Sequence, residues 1–357
     1  MKFSAVLPAA LAAVLIVSSC GGSDEASTTD ESSTVDSAVG SEVVGHYADG
    51  VYVSYAASVE SATKMGDDIE AFLDDPTEDT LATARKAWLT ARPDYGVTEA
   101  FRFYGGPIDA DDTGPEGRLN AWPMDESYVD YVEGDPEAGI INDPDEYPTL
   151  DTDTLASLNE AGGETNVSTG WHAIEFLLWG QDLSEDGPGE RPATDYTDAP
   201  NADRRSEYLA SATQLLLTDL QGVTDAWDPD GDDNFRVKFL ALPTDEALTN
   251  IVTGVGELSR GELAGERMSV AYTERSEEDE HSCFSGQHDR GHRRQRPGCG
   301  QRGDRRLPGR SDRPLDWPSS SPRTMRPPPT SWSRRSKPAL PTPRRSPHRS
   351  TSTCATA

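Results

Sequence analysis

The sequence predicts an all-α fold, and three observations predict it. Apolar residues recur three and four apart through several long segments, the period of a helix with one buried face. No segment alternates apolar and polar residues cleanly enough to form a half-buried strand. One stretch, Gly170-Trp171-His172-Ala173-Ile174-Glu175-Phe176-Leu177-Leu178-Trp179-Gly180, is apolar on nearly every side, as in a helix enclosed by others. Together these describe a helical bundle.

The first helix is expected over Val43–Phe72, with Val44, Tyr47, Val51, Tyr55 and Val59 at helical spacing. Asp75-Pro76-Thr77 reads as a stop and restart, Asp75 capping and Pro76 in the first turn. The second helix carries Leu81, Ala84, Trp88 and Ala91 on one face, and Pro93 is expected to break or kink it. A short aromatic helix, Tyr95–Tyr104, follows and ends at Gly105-Gly106-Pro107. Residues 105–150 are rich in Gly, Pro and Asp, but their embedded Trp and Tyr favour ordered packing. A short helix at Asp151–Ala161 leads to the apolar one, which Ser168 or Thr169 caps and Gly180 ends. Beyond an acidic loop, helices are expected at Asp203–Trp227, Phe235–Leu242 and Asp245–Tyr272. The last of these turns Leu248, Ile251, Val252, Val255, Leu258 and Leu263 inward.

The ends of the chain differ from this body. Lys2 and the apolar run Ala5–Val17 form an export segment, too short to span a bilayer comfortably. Val17-Ser18-Ser19-Cys20 resembles a bacterial lipobox, which makes Cys20 the lipidation site and residues 1–19 the removed signal peptide. Residues 20–42 read as a disordered acidic tether. The domain proper is expected at 43–285, followed by a disordered basic Arg/Pro/Ser tail, 286–357. That tail holds 17 Lys and Arg against 4 Asp and Glu, whereas the first 285 residues hold 15 against 59. So acidic a body repels phosphates, which excludes nucleic acid as its partner and suits cations. The cysteines form no paired framework and no CxxC, so neither a disulfide scaffold nor a zinc ribbon is supported.

Chemistry concentrates in the apolar helix. His172 and Glu175 are three apart and share a face. A carboxylate there is costly unless paired. Either the two bond each other and a neighbour, or they jointly hold a cation. Glu280 and His281 point apart on a helix and read as structural. A peptidase needs a general base beside a metal-bound water, and His-Glu-x-x-His would supply two ligands and the base. Here one His stands without an adjacent Glu, so a metal-binding uptake or sensing protein ranks above an enzyme.

Gly170, His172 and Glu175 match Gly-x-His-x-x-Glu, and further stretches extend the match. They are Arg92–Gly96, Glu99–Asp109, Leu119–Pro123, Gly261–Met268 and Glu278–Ser285. Together they resemble the imelysin-like family, its iron-regulated protein A branch above all. The resemblance implies a two-part helical fold with the motif near the junction. It also implies an exported protein linked to iron acquisition, with iron-uptake proteins as partners; with the anchor expected at Cys20 this makes a cell-envelope protein, periplasmic or on the outer surface. As metal ligands it implies His172 and Glu175, with Glu99 the best-placed further carboxylate and Asp109 a weaker one; for Glu99 the structural alternative is an ion pair with Arg92 or Arg102. Iron is the foremost metal, with zinc and copper also suited to imidazole and carboxylate. A metallopeptidase of the imelysin or insulin-cleaving type is the first alternative. The second is a structural His–Glu pair in a truncated, non-functional product, because the family pattern is lost after Ser285, as a shifted reading frame would cause. On that view the second bundle is incomplete and exposes parts of its apolar faces, with Leu216, Leu220, Ile251 and Val255.

Overall fold

The computed structural model describes residues 37–183, 187–274 and 281–286. The export segment, Cys20, most of the expected tether, Glu278–Glu280 and the tail from residue 287 lie outside these residues. Every regular element among the described residues is helical, as expected.

The spine is α1 (Ser37–Asp74), 38 residues long. It starts inside the stretch expected as a tether, because its buried face begins at Gly40 and continues through Val44, Ala48, Val51 and Tyr55. Across the short Asp75–Thr77 connection, α2 (Glu78–Thr98) packs back along α1. Its cap is Thr77, not Asp75. The Thr77 hydroxyl accepts from the Thr80 N–H, and the Thr80 hydroxyl accepts from the Thr77 N–H.

Pro93 does not break α2, contrary to expectation. The missing N–H removes one helical bond. Trp88, Ala91, Arg92 and Tyr95 are buried on both sides of it, and that packing carries the helix on to Thr98. A 3₁₀ turn, Glu99–Phe101, then replaces the expected aromatic helix.

The Gly/Pro-rich stretch is ordered. It contains α3 (Glu116–Asn120), α4 (Glu126–Val129) and a 3₁₀ turn at Ile140–Asn142, and it buries Leu119, Val129, Ile140, Ile141 and Leu150. In α5 (Thr152–Leu158) the Asp151 carboxylate caps the Thr154 N–H. Helix α6 (Gly170–Trp179) lies between α2, α3 and α7 (Ala202–Ala226), and α7 also packs on α1. Leu216 and Leu220, expected to be left partly exposed, are instead fully buried like Leu209, because α7 packs on α1, α5 and α6.

After α8 (Phe235–Leu240) comes a long rod: α9 (Thr244–Glu257), a π-helical segment (Leu258–Ser269) and α10 (Val270–Glu274). Two residues expected inward on α9 face out, Val252 at 70% exposure and Val255 at 40%. Among the described residues α9 packs mainly on α1 and the Glu99–Phe101 turn, and its other flank is exposed. In the π segment the buried residues are Leu258, Leu263 and Arg267, five and four apart, as its wider turns require. Among the described residues no helix is long and apolar enough to cross a membrane.

Candidate functional site

Helix α6 is buried along its whole length, so its two polar side chains must be satisfied inside the protein. Gly170 allows this close packing. Its φ is +83°, and a Cβ there would lie 2.5 Å from the Leu119 carbonyl oxygen. Gly170→Ala is therefore expected to cost about 2–3 kcal/mol, read as a shift in a urea unfolding curve. A loss under about 0.5 kcal/mol would show that the α3–α6 contact yields easily.

His172 and Glu175 meet each other: His172 Nδ1 lies 3.1 Å from Glu175 Oε2. The other carboxyl oxygen, Oε1, accepts from the Ser285 hydroxyl at 2.6 Å and from the Ser285 N–H at 3.1 Å. Burial pushes the Glu175 carboxyl up to about 8, against the Ser285 hydrogen bonds and Arg92, which favour its ionised form. Burial, with Arg92 and Arg267 nearby, holds the His172 imidazole well below its usual range. Burial thus disfavours the charged form of both members of the pair. His172 Nε2 is buried and has no hydrogen-bond partner among the described residues.

Other rings pack against the His172 imidazole. Trp122 is 4.7 Å away and His281 4.5 Å, centroid to centroid. Arg92 donates to Asn120 Oδ1 at 2.7 Å and to His281 Nε2 at 2.8 Å. A guanidinium can only donate, so the His281 proton sits on Nδ1. Phe284 packs against Trp122 and Phe176, at 5.7 and 5.3 Å.

The other two expected ligands are engaged elsewhere. Glu99 is fully buried, with Arg92 at 3.6 Å and Arg267 at 2.5 Å. Burial alone would raise its pKa, but Arg267 and Arg92 outweigh burial and hold it below the ordinary carboxylate value. This is the ion pair foreseen as the structural alternative, with Arg267 as an unforeseen second partner. Asp109 accepts the Phe103 N–H, in a turn where Phe103 has φ 71°. Among the described residues no three His, Cys, Asp or Glu side chains converge as a metal-binding group. The structure thus joins His172 to Glu175 and joins neither to Glu99 or Asp109.

Sequence reasoning passed over His281 and Ser285. It read His281 as one of two helical residues pointing apart, but His281–Gly286 is a turn, with Ser282 at φ 69°. A usable signal was present: a polar-aromatic run, His281-Ser282-Cys283-Phe284-Ser285, next to a chain whose composition then changes.

Comparison with known proteins agrees with this architecture. Iron-regulated protein A of Synechococcus elongatus is 35% identical over 75 residues, which span 21% of this chain and 20% of the relative's own length. A crystal structure assigned as an iron-regulated protein A precursor from Parabacteroides distasonis superposes with a TM-score of 0.55 at 17% identity, over 74% of this chain and 73% of that one. At that identity the likeness is one of fold. The sequence profile of the imelysin family, peptidase M75, matches residues 51–295 and so runs past Ser285, where the resemblance was expected to stop. With well over half of its length matched, the chain belongs to the imelysin family.

Proposed function

We propose that this chain is an exported, lipid-anchored protein of iron acquisition or its regulation, and that it binds a transition metal through His172. The observation that carries the metal reading is the buried, unpartnered Nε2 of His172, whose other nitrogen is held by a carboxyl group. Metal-ligating histidines are commonly oriented in this way, one nitrogen on the ion and the other on an outer carboxylate. In that respect the residues fit a metal that displaces a proton from the pair as it binds. Glu175 then acts from behind His172. Glu99 joins only by giving up Arg92 or Arg267, and Asp109 has no part in the arrangement. A bound ion would supply a Lewis-acidic or redox-active centre. The iron-related names of the relatives support iron as the metal at family level.

A structural His–Glu pair is the second reading, favoured by the full set of partners that Ser285 and His172 give Glu175. Metal analysis of the full chain after loading with iron, zinc or copper separates the two. The metal reading expects about one ion per chain, loss of it in His172→Ala, and affinity weakened roughly 10- to 100-fold in Glu175→Gln. No retained metal under any loading leaves the structural pair. Zinc together with metal-dependent peptide cleavage favours a peptidase. For the anchor, Cys20→Ala is expected to move the protein from the membrane fraction to the soluble one; retention in the membrane fraction rejects lipidation at Cys20.

A further inference from the structure

The segment His281–Gly286 is unlike everything else that surrounds His172 and Glu175. The remaining walls are helices and the packed Trp122 loop. This segment is a single turn, closed by the Gly286 N–H donating to the Cys283 carbonyl at 2.9 Å, with Ser282 in a left-handed conformation that non-glycine residues seldom adopt. Among the described residues these contacts help to hold it in place. Ser285 donates twice to Glu175, Arg92 donates to His281, the Gly189 N–H donates to the Phe284 carbonyl at 2.9 Å, and Phe284 wedges between Trp122 and Phe176. It completes the enclosure: His172 is 1% exposed and Glu175 0%.

We propose that Ser285 is a positioning residue that turns Glu175 Oε2 toward His172, and that His281–Gly286 is the removable cover through which this site exchanges its ion. The ion clause rests on the metal reading above; the cover and the positioning role do not. With Oε1 fixed by two donors from one residue, the carboxyl plane is set and Oε2 faces His172 Nδ1. Opening a helical wall would unpack α2, α3 or α7 from α6, whereas this turn can swing away without unpacking any of them. A hydroxyl at 285 thus does two things: it aims the carboxyl and it latches the cover.

Cys283 reports the latch. It lies in the same turn, 5% exposed, and burial pushes its thiol up, so in the closed state it reacts slowly. The test is iodoacetamide labelling of the full chain, resolved by peptide mass spectrometry so that Cys283 is read apart from the other cysteines. Metal-free Ser285→Ala and Phe284→Ala are expected to label at Cys283 at least about tenfold faster than wild type, with Ser285→Thr restored to near the wild-type rate. Zinc-loaded Ser285→Ala should release zinc to a chelator faster by a similar factor. Unchanged labelling in both alanine variants overturns the cover. Equal acceleration in Ser285→Thr and Ser285→Ala overturns the latch, since a retained hydroxyl should hold it. A melting curve guards against global unfolding: Cys283 exposure that appears only together with a collapsed melting transition also overturns the proposal. A wild-type chain that never holds metal removes the ion clause and leaves the labelling result to decide the rest.

Discussion

Asp130→Ala is expected to cost about 3–5 kcal/mol of folding stability, much of what a domain of this size has to spare. Asp130 is fully buried between two guanidinium groups. Arg191 Nη1 donates to Oδ2 at 2.6 Å; Arg205 donates through Nε to Oδ2 at 2.7 Å and through Nη2 to Oδ1 at 2.8 Å. Both guanidinium carbons also lie over the Tyr131 ring, at 5.0 and 5.4 Å. Arg191 comes from the loop after α6, Arg205 from the start of α7 and Asp130 from the end of α4, so one carboxylate ties three otherwise separate segments together. Removing it leaves two buried cations with Asp195 as the remaining carboxylate beside Arg191. That uncompensated charge, more than the lost hydrogen bonds, sets the size of the effect. Asp130→Asn should cost less, because the amide oxygen still accepts. The same geometry makes the fold acid-sensitive: burial alone would raise the Asp130 pKa, but Arg205 and Arg191 outweigh it and lower it. Its contribution is whole above the unfolded carboxylate value and is lost as pH falls toward the depressed one. Urea unfolding of the alanine variant at neutral pH checks the prediction; a loss under 1 kcal/mol would mean that water or the loops relieve the two arginines.

This cluster was not legible in the sequence. Asp130, Arg191 and Arg205 lie far apart in the chain, and each is an ordinary surface-type residue in a stretch full of acids. Local periodicity says where a helix runs and which face it buries; it says nothing of which distant charge meets which. The boundaries of α6 and the inward face of α7 were therefore readable, since one repeating pattern specifies each. The His172–Glu175 pairing was readable as well, because spacing along one helix is local. Glu99 shows the limit. An ion pair with Arg92 was foreseen for it, but its second partner Arg267 sits on a π-helical segment whose register differs from the α-helix that periodicity assumes. Pro93 failed in the opposite direction: a strong local rule was overridden by packing on both sides of it. Ser285 was passed over because its role depends on a turn that helical spacing does not announce, and the polar-aromatic run around it is the signal that marks the segment.

Glu175→Gln is expected to reverse the pH dependence of stability in the metal-free protein. An acid whose pKa is raised by folding keeps its proton after the unfolded chain has lost it. Glu175, pushed by burial from an ordinary 4.5 to about 8, therefore contributes stability that is whole below about pH 4.5 and declines as pH rises toward 8. His172 works the other way. Burial keeps it neutral, while the unfolded chain takes up a proton near the ordinary value of 6.5, so its contribution is whole above 6.5 and declines as pH falls. Between pH 4.5 and 6.5 the two slopes oppose each other, and from 6.5 to 8 the decline due to Glu175 stands alone. Glutamine keeps an acceptor for Ser285 and offers an amide donor to His172, but it cannot ionise. Relative to wild type, the variant should gain on the order of 4 kcal/mol between pH 4.5 and pH 8, at about 1.4 kcal/mol per pH unit. Wild type should weaken from pH 6.5 to 8 where the variant stays level, and the variant should weaken below 6.5 where wild type stays level. Urea unfolding of chelated protein at half-unit steps from pH 4.5 to 9 reads both limbs. Parallel curves for the two proteins would show that Glu175 ionises in the fold as readily as in water, and that burial does not set the charge of this pair.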